Sequence, residues 1–154
     1  MTGKIEARLA ELGVVLPDAP APAANYVPFV QVGDLVFVSG QISQDANGLI
    51  KGRLGAELDA AAGAAAARRC GISLLAQARA ACAGDLDRLV RVVKLTGFVN
   101  CTTDFSDQPK VINGCSDFLV EVLGDAGRHS RSAVGAPALP LGVAVEIEAI
   151  FQVK

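Results

Sequence analysis

The chain has 154 residues, 51% of them hydrophobic, and a formal net charge of −2, which fits one domain with a substantial core. Its 14 Lys and Arg are scattered, and aromatics are only 5% with no Trp; both facts argue against a nucleic-acid partner, which needs a basic patch and stacking faces. No apolar run approaches the ~18 residues of a membrane span, and MTGKIEARLAELG lacks a signal-peptide core, so a cytoplasmic protein without a membrane partner is expected.

Ile5, Leu9 and Leu12 recur at helical spacing and predict a short amphipathic helix over residues 3–12. The proline-rich PDAPAPAAN, residues 17–25, cannot continue it and reads as an extended strap on the body. YVPFVQVGDLVFVSGQI predicts a β-hairpin, with Val27 to Val32 and Leu35 to Val38 as strands and Gly33-Asp34 as the turn. Residues 43–56, with Asn47-Gly48 and Gly52, suit a loop or a short irregular hairpin. An alanine-rich helix follows from about Glu57 to Ala83, with Asp59 as cap and Gly84 as stop; its small side chains suit close packing on a sheet. LDRLVRVVKLTGFVN predicts a strand. A second long helix spans Pro109 to Leu123, its Val111, Cys115, Phe118 and Val122 spaced i, i+4, i+7, i+11. Short and long strands at 131–135 and 142–152 finish a two-layer α+β domain.

Four cysteines, Cys70, Cys82, Cys101 and Cys115, form no CxxC pair and His129 is the sole histidine, so a structural zinc site is not expected. The cysteines are expected to be reduced and non-catalytic. In the last strand, Val143, Val145, Ile147, Ala149 and Phe151 share one face, whereas Glu146 and Glu148 share the other, roughly 7 Å apart. Those acids are either a solvated outer face or an acid–base group. Arg131, among small residues, is a surface charge, an ion-pair partner for one of the glutamates, or a fork for a ligand carboxylate. Gly40 in Ser39-Gly40-Gln41 permits close backbone approach, Tyr26 opens the hairpin, and Asn113 is an exposed helix position or a ligand contact. His129 titrates near neutrality but has no nucleophile or acid at a recognisable spacing.

The segments YVPFVQVGDLVFVSGQI, VINGCSDFL and RSAVGAPALPLGVAVEIEAI, in that order, resemble the Rid (reactive intermediate deaminase, YjgF) family from about Asn25 to Lys154. Residues 1–24, the first helix and strap, fall outside the family core and mark a branch with an extended N-terminus. The resemblance implies a chorismate-mutase-like α+β fold, a mixed sheet packed on two helices, assembled as a homotrimer with sites in the clefts between subunits. It implies cofactor-free hydrolysis of enamines and imines such as 2-aminoacrylate to 2-keto acids and ammonia. Arg131 matches the arginine that grips the substrate carboxylate, and Glu146 the acid beside the attacking water. Tyr26, Ser39, Gly40 and Asn113 match pocket-lining positions. Ala133 stands where many members carry cysteine, and Ser130 where a small apolar residue or proline is common. Glu148 is left as a structural or interface acid, and His129 becomes the weakest candidate. Two other functions stay open: a carboxylate-binding or regulatory module without turnover, and an endoribonuclease, against which the pI of 5.3 and few aromatics weigh.

Overall fold

The computed structural model describes residues 3–154; Met1 and Thr2, part of the expected N-terminal extension, lie outside the described residues. Helix α1 runs Lys4–Glu11 and buries Leu9. Its N-cap, Gly3, has no side chain to offer, so the cap comes from elsewhere in the chain. Asp87 accepts from the Lys4 and Ile5 amides at 2.9 and 3.1 Å. Those two amides hold the Asp87 carboxyl below its usual range. The strap is then held by the long alanine-rich helix, where Arg79 donates to the Pro17 carbonyl at 2.9 Å and Gln77 to that of Pro20 at 2.7 Å.

The hairpin forms from β1 (Phe29–Val32) and β2 (Leu35–Ile42), and the Asn47-Gly48 turn joins two-residue strands β3 (Gln44–Asp45) and β4 (Gly48–Leu49). Helix α2 spans Ala60–Ala81, with Asp59 accepting from the Ala62 amide and capping it as expected. It ends where Ala83 and Gly84 both take positive φ. Strand β5 is Leu89–Asn100, helix α3 Gln108–Leu123, β6 Ser130–Ala136 and β7 Val145–Val153.

The five-stranded sheet has the order β1-β2-β7-β5-β6. All pairs are antiparallel except β5 with β6. Helices α2 and α3 cover one face. The expected helical stripe of Val111, Cys115, Phe118 and Val122 is buried there, as are Val145, Ile147, Ala149 and Phe151 of β7. The alanines of α2 do more than line the sheet: they also let α3 in. A side chain on Gly114 would run into the Ala64 carbonyl, and one on Gly71 would meet Phe118 at 3.0 Å. Among the described residues no element covers the opposite face of the sheet, and Val30, Phe37 and Val134 on it are 51%, 42% and 44% exposed. All four cysteines are free and buried, away from that open face. Among the described residues no helix is long and apolar enough to cross a membrane.

Candidate functional site

Arg131 sits on the edge strand β6, level with Leu95 of β5. Partners in register share a face, and Leu95 is fully buried under the helices. The Arg131 side chain therefore runs beneath α3. Its Nη1 donates to Ser116 Oγ at 3.1 Å and its Nη2 to the Pro109 carbonyl at 3.2 Å. Pro109, Asn113 and Ser116 follow i, i+4, i+7 along α3 and form one stripe over the arginine. Asn113 is exposed on that stripe, between the two residues that hold the guanidinium. Gly97 brings the stripe down, because a side chain there would collide with Ile112 at 2.5 Å. Ala133, two residues along β6, faces the same way and packs against the core.

Glu146 lies on the other face. It is in register with Phe98 on one side and Ile42 on the other. Burial pushes its carboxyl up, and the neighbouring Glu148 adds to the shift. Room for that carboxyl comes from Gly40, where a side chain would meet Glu146 Cδ at 2.9 Å. A β-bulge between Val38 and Gln41 slips the alternation of β2 by one residue. It turns Gln41 toward the helices, where Gln77 reaches it at 3.4 Å, and leaves Gly40 beside Glu146. Ser39 is occupied structurally: its hydroxyl donates to the Val27 carbonyl at 2.8 Å, fastening the segment between the strap and β1 to β2.

The ion pair between Arg131 and a glutamate that the sequence left open does not form. The two side chains leave opposite faces of the sheet, with all of β5 between their strands. Leu95 and Phe98 mark their levels, so they are also offset by roughly 10 Å along the strands. Within one chain the expected site is thus two separate halves. One holds Arg131, Asn113 and Ala133; the other holds Glu146 and Gly40, and Gly40 in turn lines a cavity with Tyr26. That cavity has a volume of about 350 Å³. Its lining includes Gly40, Gln41, Tyr26 and Pro28, Pro20 to Ala23 of the strap, and Leu141.

The chain matches, over residues 6–151, the family described as "YjgF/chorismate_mutase-like, putative endoribonuclease". It belongs to the YjgF/RidA family. Protein TCP17 of Trypanosoma cruzi is 47% identical over 99% of this chain and 96% of its own length. A crystal structure from Agrobacterium tumefaciens, of a protein with unknown function, is 45% identical with a TM-score of 0.91, covering 98% of this chain and 93% of that one. RidA from an Antarctic Psychrobacter is more distant, 28% identical with a TM-score of 0.62 over 88% of this chain and 94% of its own. As in other YjgF/RidA chains, the fold is a mixed sheet on helices.

Residues that sequence reasoning missed lie beside both halves of this candidate site. On the arginine side they are Ser116 and the Pro109 carbonyl. The i, i+4, i+7 spacing from Pro109 through Asn113 was a signal that could have found Ser116. In the cavity that Gly40 lines they are the strap residues Pro20 to Ala23 and Leu141. Leu141 has φ of 59° and is 58% exposed, and nothing in its sequence context marks it. His129, the weakest candidate by sequence, is in contact with the arginine half: its Nε2 is 2.9 Å from Ser116 Oγ.

Proposed function

We propose that the protein is an enamine/imine deaminase acting on small carboxylate-bearing intermediates, in clefts between the subunits of a homotrimer. The observation that carries this is the state of Arg131. Two neutral acceptors hold it, a hydroxyl and a peptide carbonyl, and among the described residues it joins no ion pair. A guanidinium fixed in place but not neutralised is suited to receive a ligand carboxylate through its remaining donors.

The opposite-face placement of Arg131 and Glu146 supports a site shared between copies. The open face of the sheet, with Phe37 and Val134 exposed, is the surface a second copy would cover. In the cleft, Arg131 of one subunit anchors the substrate carboxylate and Glu146 of another serves the imine carbon. 2-Aminoacrylate takes a proton from solvent on its methylene carbon and becomes the iminium. Water attacks the iminium carbon while Glu146 accepts one of the water's protons, giving the carbinolamine. The protonated Glu146 then returns that proton to the nitrogen, which leaves as ammonia while the hydroxyl closes to a carbonyl and its proton passes to the departing ammonia, giving pyruvate and ammonium. The raised pKa of Glu146 suits a group that must both take and give a proton near neutrality. The imine is already electrophilic, so no cofactor is required.

Endoribonuclease chemistry is less well supported. His129 has a bond at each ring nitrogen, to Ser116 and to Gly127, so it does not present a free base, and the net charge of −2 disfavours an RNA backbone. A carboxylate-binding module without turnover would use the same Arg131. The deciding experiment generates 2-aminoacrylate with a serine dehydratase and follows pyruvate release. Acceleration by the wild type, lost in Arg131→Ala at unchanged assembly, is expected. Saturable pyruvate binding without acceleration, across dehydratase- and oxidase-derived imines, would leave only the binding module.

A further inference from the structure

We infer that Ser116 and His129 are positioning residues for Arg131: His129 fixes the direction of the Ser116 hydroxyl, and Ser116 holds the guanidinium without cancelling its charge. The inference rests on Arg131 being the carboxylate clamp proposed above.

The direction of every hydrogen bond in this chain of groups follows from donor chemistry. His129 Nδ1 is 2.6 Å from the Gly127 carbonyl. A carbonyl only accepts, so Nδ1 carries the hydrogen. In the neutral ring Nε2 is then bare and must accept. The group facing it at 2.9 Å is Ser116 Oγ, so the single hydroxyl hydrogen of Ser116 goes to the imidazole. That leaves the oxygen lone pairs for Arg131 Nη1, which can only donate, at 3.1 Å. Burial pushes the His129 pKa down, the bond to the Gly127 carbonyl pushes it back in part, and the Arg131 charge lowers it again, so the net shift favours the neutral form that this arrangement needs.

A serine within a helix has a competing choice. Its hydroxyl can turn back to the carbonyl four residues earlier, here Ile112. Turned that way, the lone pairs would no longer be fixed on Arg131. The imidazole draws the hydroxyl hydrogen off the helix backbone and presents the oxygen to the guanidinium. A carboxylate at residue 116 would hold the arginine more strongly but would neutralise it and compete with an anionic ligand. Holding by a hydroxyl and by the Pro109 carbonyl keeps the geometry and the charge together. His129 does not touch the substrate in this arrangement; it acts through Ser116.

The test titrates pyruvate, by ligand-observed NMR, into wild-type protein and the variants Arg131→Ala, Ser116→Ala, Ser116→Thr and His129→Phe, each checked for wild-type assembly. Ser116→Ala should raise the Kd about tenfold, and Ser116→Thr, which keeps the hydroxyl, should restore it. His129→Phe should weaken binding by a smaller factor. In turnover, Ser116→Ala should raise KM with kcat changed less than about twofold, the mark of lost binding rather than lost chemistry. The ring ¹⁵N shifts of His129 should report hydrogen on Nδ1 and none on Nε2. Hydrogen on Nε2, or equal weakening in Ser116→Ala and Ser116→Thr, would overturn the inference, and so would Ser116→Ala binding pyruvate as tightly as wild type while Arg131→Ala does not. Arg131→Ala binding like wild type, or a wild type that shows no saturable pyruvate binding, would instead remove the clamp itself.

Discussion

The two faces of the sheet treat their charged residues in opposite ways. On the helix-covered face, Arg131 is enclosed by α3 and bonded on two of its nitrogens, and a third layer of contacts from His129 stands behind it. On the open face, Glu146 meets space left by Gly40 and the like charge of Glu148. The cation is rigid and satisfied in geometry but not in charge. The acid is partly desolvated and easily reprotonated. Under the proposed deaminase reading, one face would grip and the other would move protons, and because the sheet separates the two, a second copy would be needed to bring them together.

The sharpest way to break this comparison is to remove the grip. Arg131→Ala should lower kcat/KM for imine hydrolysis by at least about a hundredfold, since both orientation and a charge-assisted pair are lost. Thermal stability should change little, because the arginine's partners are neutral groups that water can satisfy. Removing the proton carrier is next. Glu146→Gln should cost about a hundredfold in kcat while pyruvate binding at Arg131 stays near wild type. A rise in Kd as large as the fall in kcat would mean that the two faces are not separate in function.

Smaller changes sharpen the contrast. Gly40→Ala places a methyl 2.9 Å from Glu146 Cδ and should displace the carboxyl, for a loss of about tenfold in kcat, read alongside an unchanged melting temperature. The smallest effect is electrostatic. Glu148→Gln removes the like charge that helps raise the Glu146 pKa, so the acidic limb of the pH–rate profile should move to lower pH. The same shift has a stability consequence. With its pKa raised, folded Glu146 binds its proton more tightly than the unfolded chain does. Stability is therefore lost as pH rises from about the ordinary value of 4.5 through the raised one. Denaturant midpoints across that range should fall for the wild type and be flatter for Glu146→Gln.

Much of the fold was legible because its signals are local. The four-residue recurrence of α3, the Asp59 cap and the alternation of β7 each depend on a few neighbouring residues; the first two stand as expected, and the alternation holds from Val145, three residues past the expected start of the strand, while Val143 and Ala144 before it are both buried. The family resemblance of the motif segments was legible too. What was not legible is relative placement. Glu146's face follows from the alternation in its own strand, but Arg131's face depends on its parallel register with β5, set by packing far away in sequence. The bulge at Ser39-Gly40 breaks an alternation that pattern reading assumes. The strap's role as cavity wall depends on Gln77 and Arg79 catching the carbonyls of Pro20 and Pro17, contacts across some sixty positions of chain. His129 looked idle because its partner lies in another element.

The most direct test mixes subunits. Arg131→Ala and Glu146→Gln proteins, each nearly inactive alone, are unfolded together, refolded as a mixture and assayed for pyruvate release from 2-aminoacrylate. If each site takes its arginine from one copy and its glutamate from another, random mixing restores about a quarter of the clefts and a matching share of wild-type activity. Activity no higher than that of the separate variants, in a mixture shown to contain hetero-oligomers, would contradict a site built from opposite faces of two sheets.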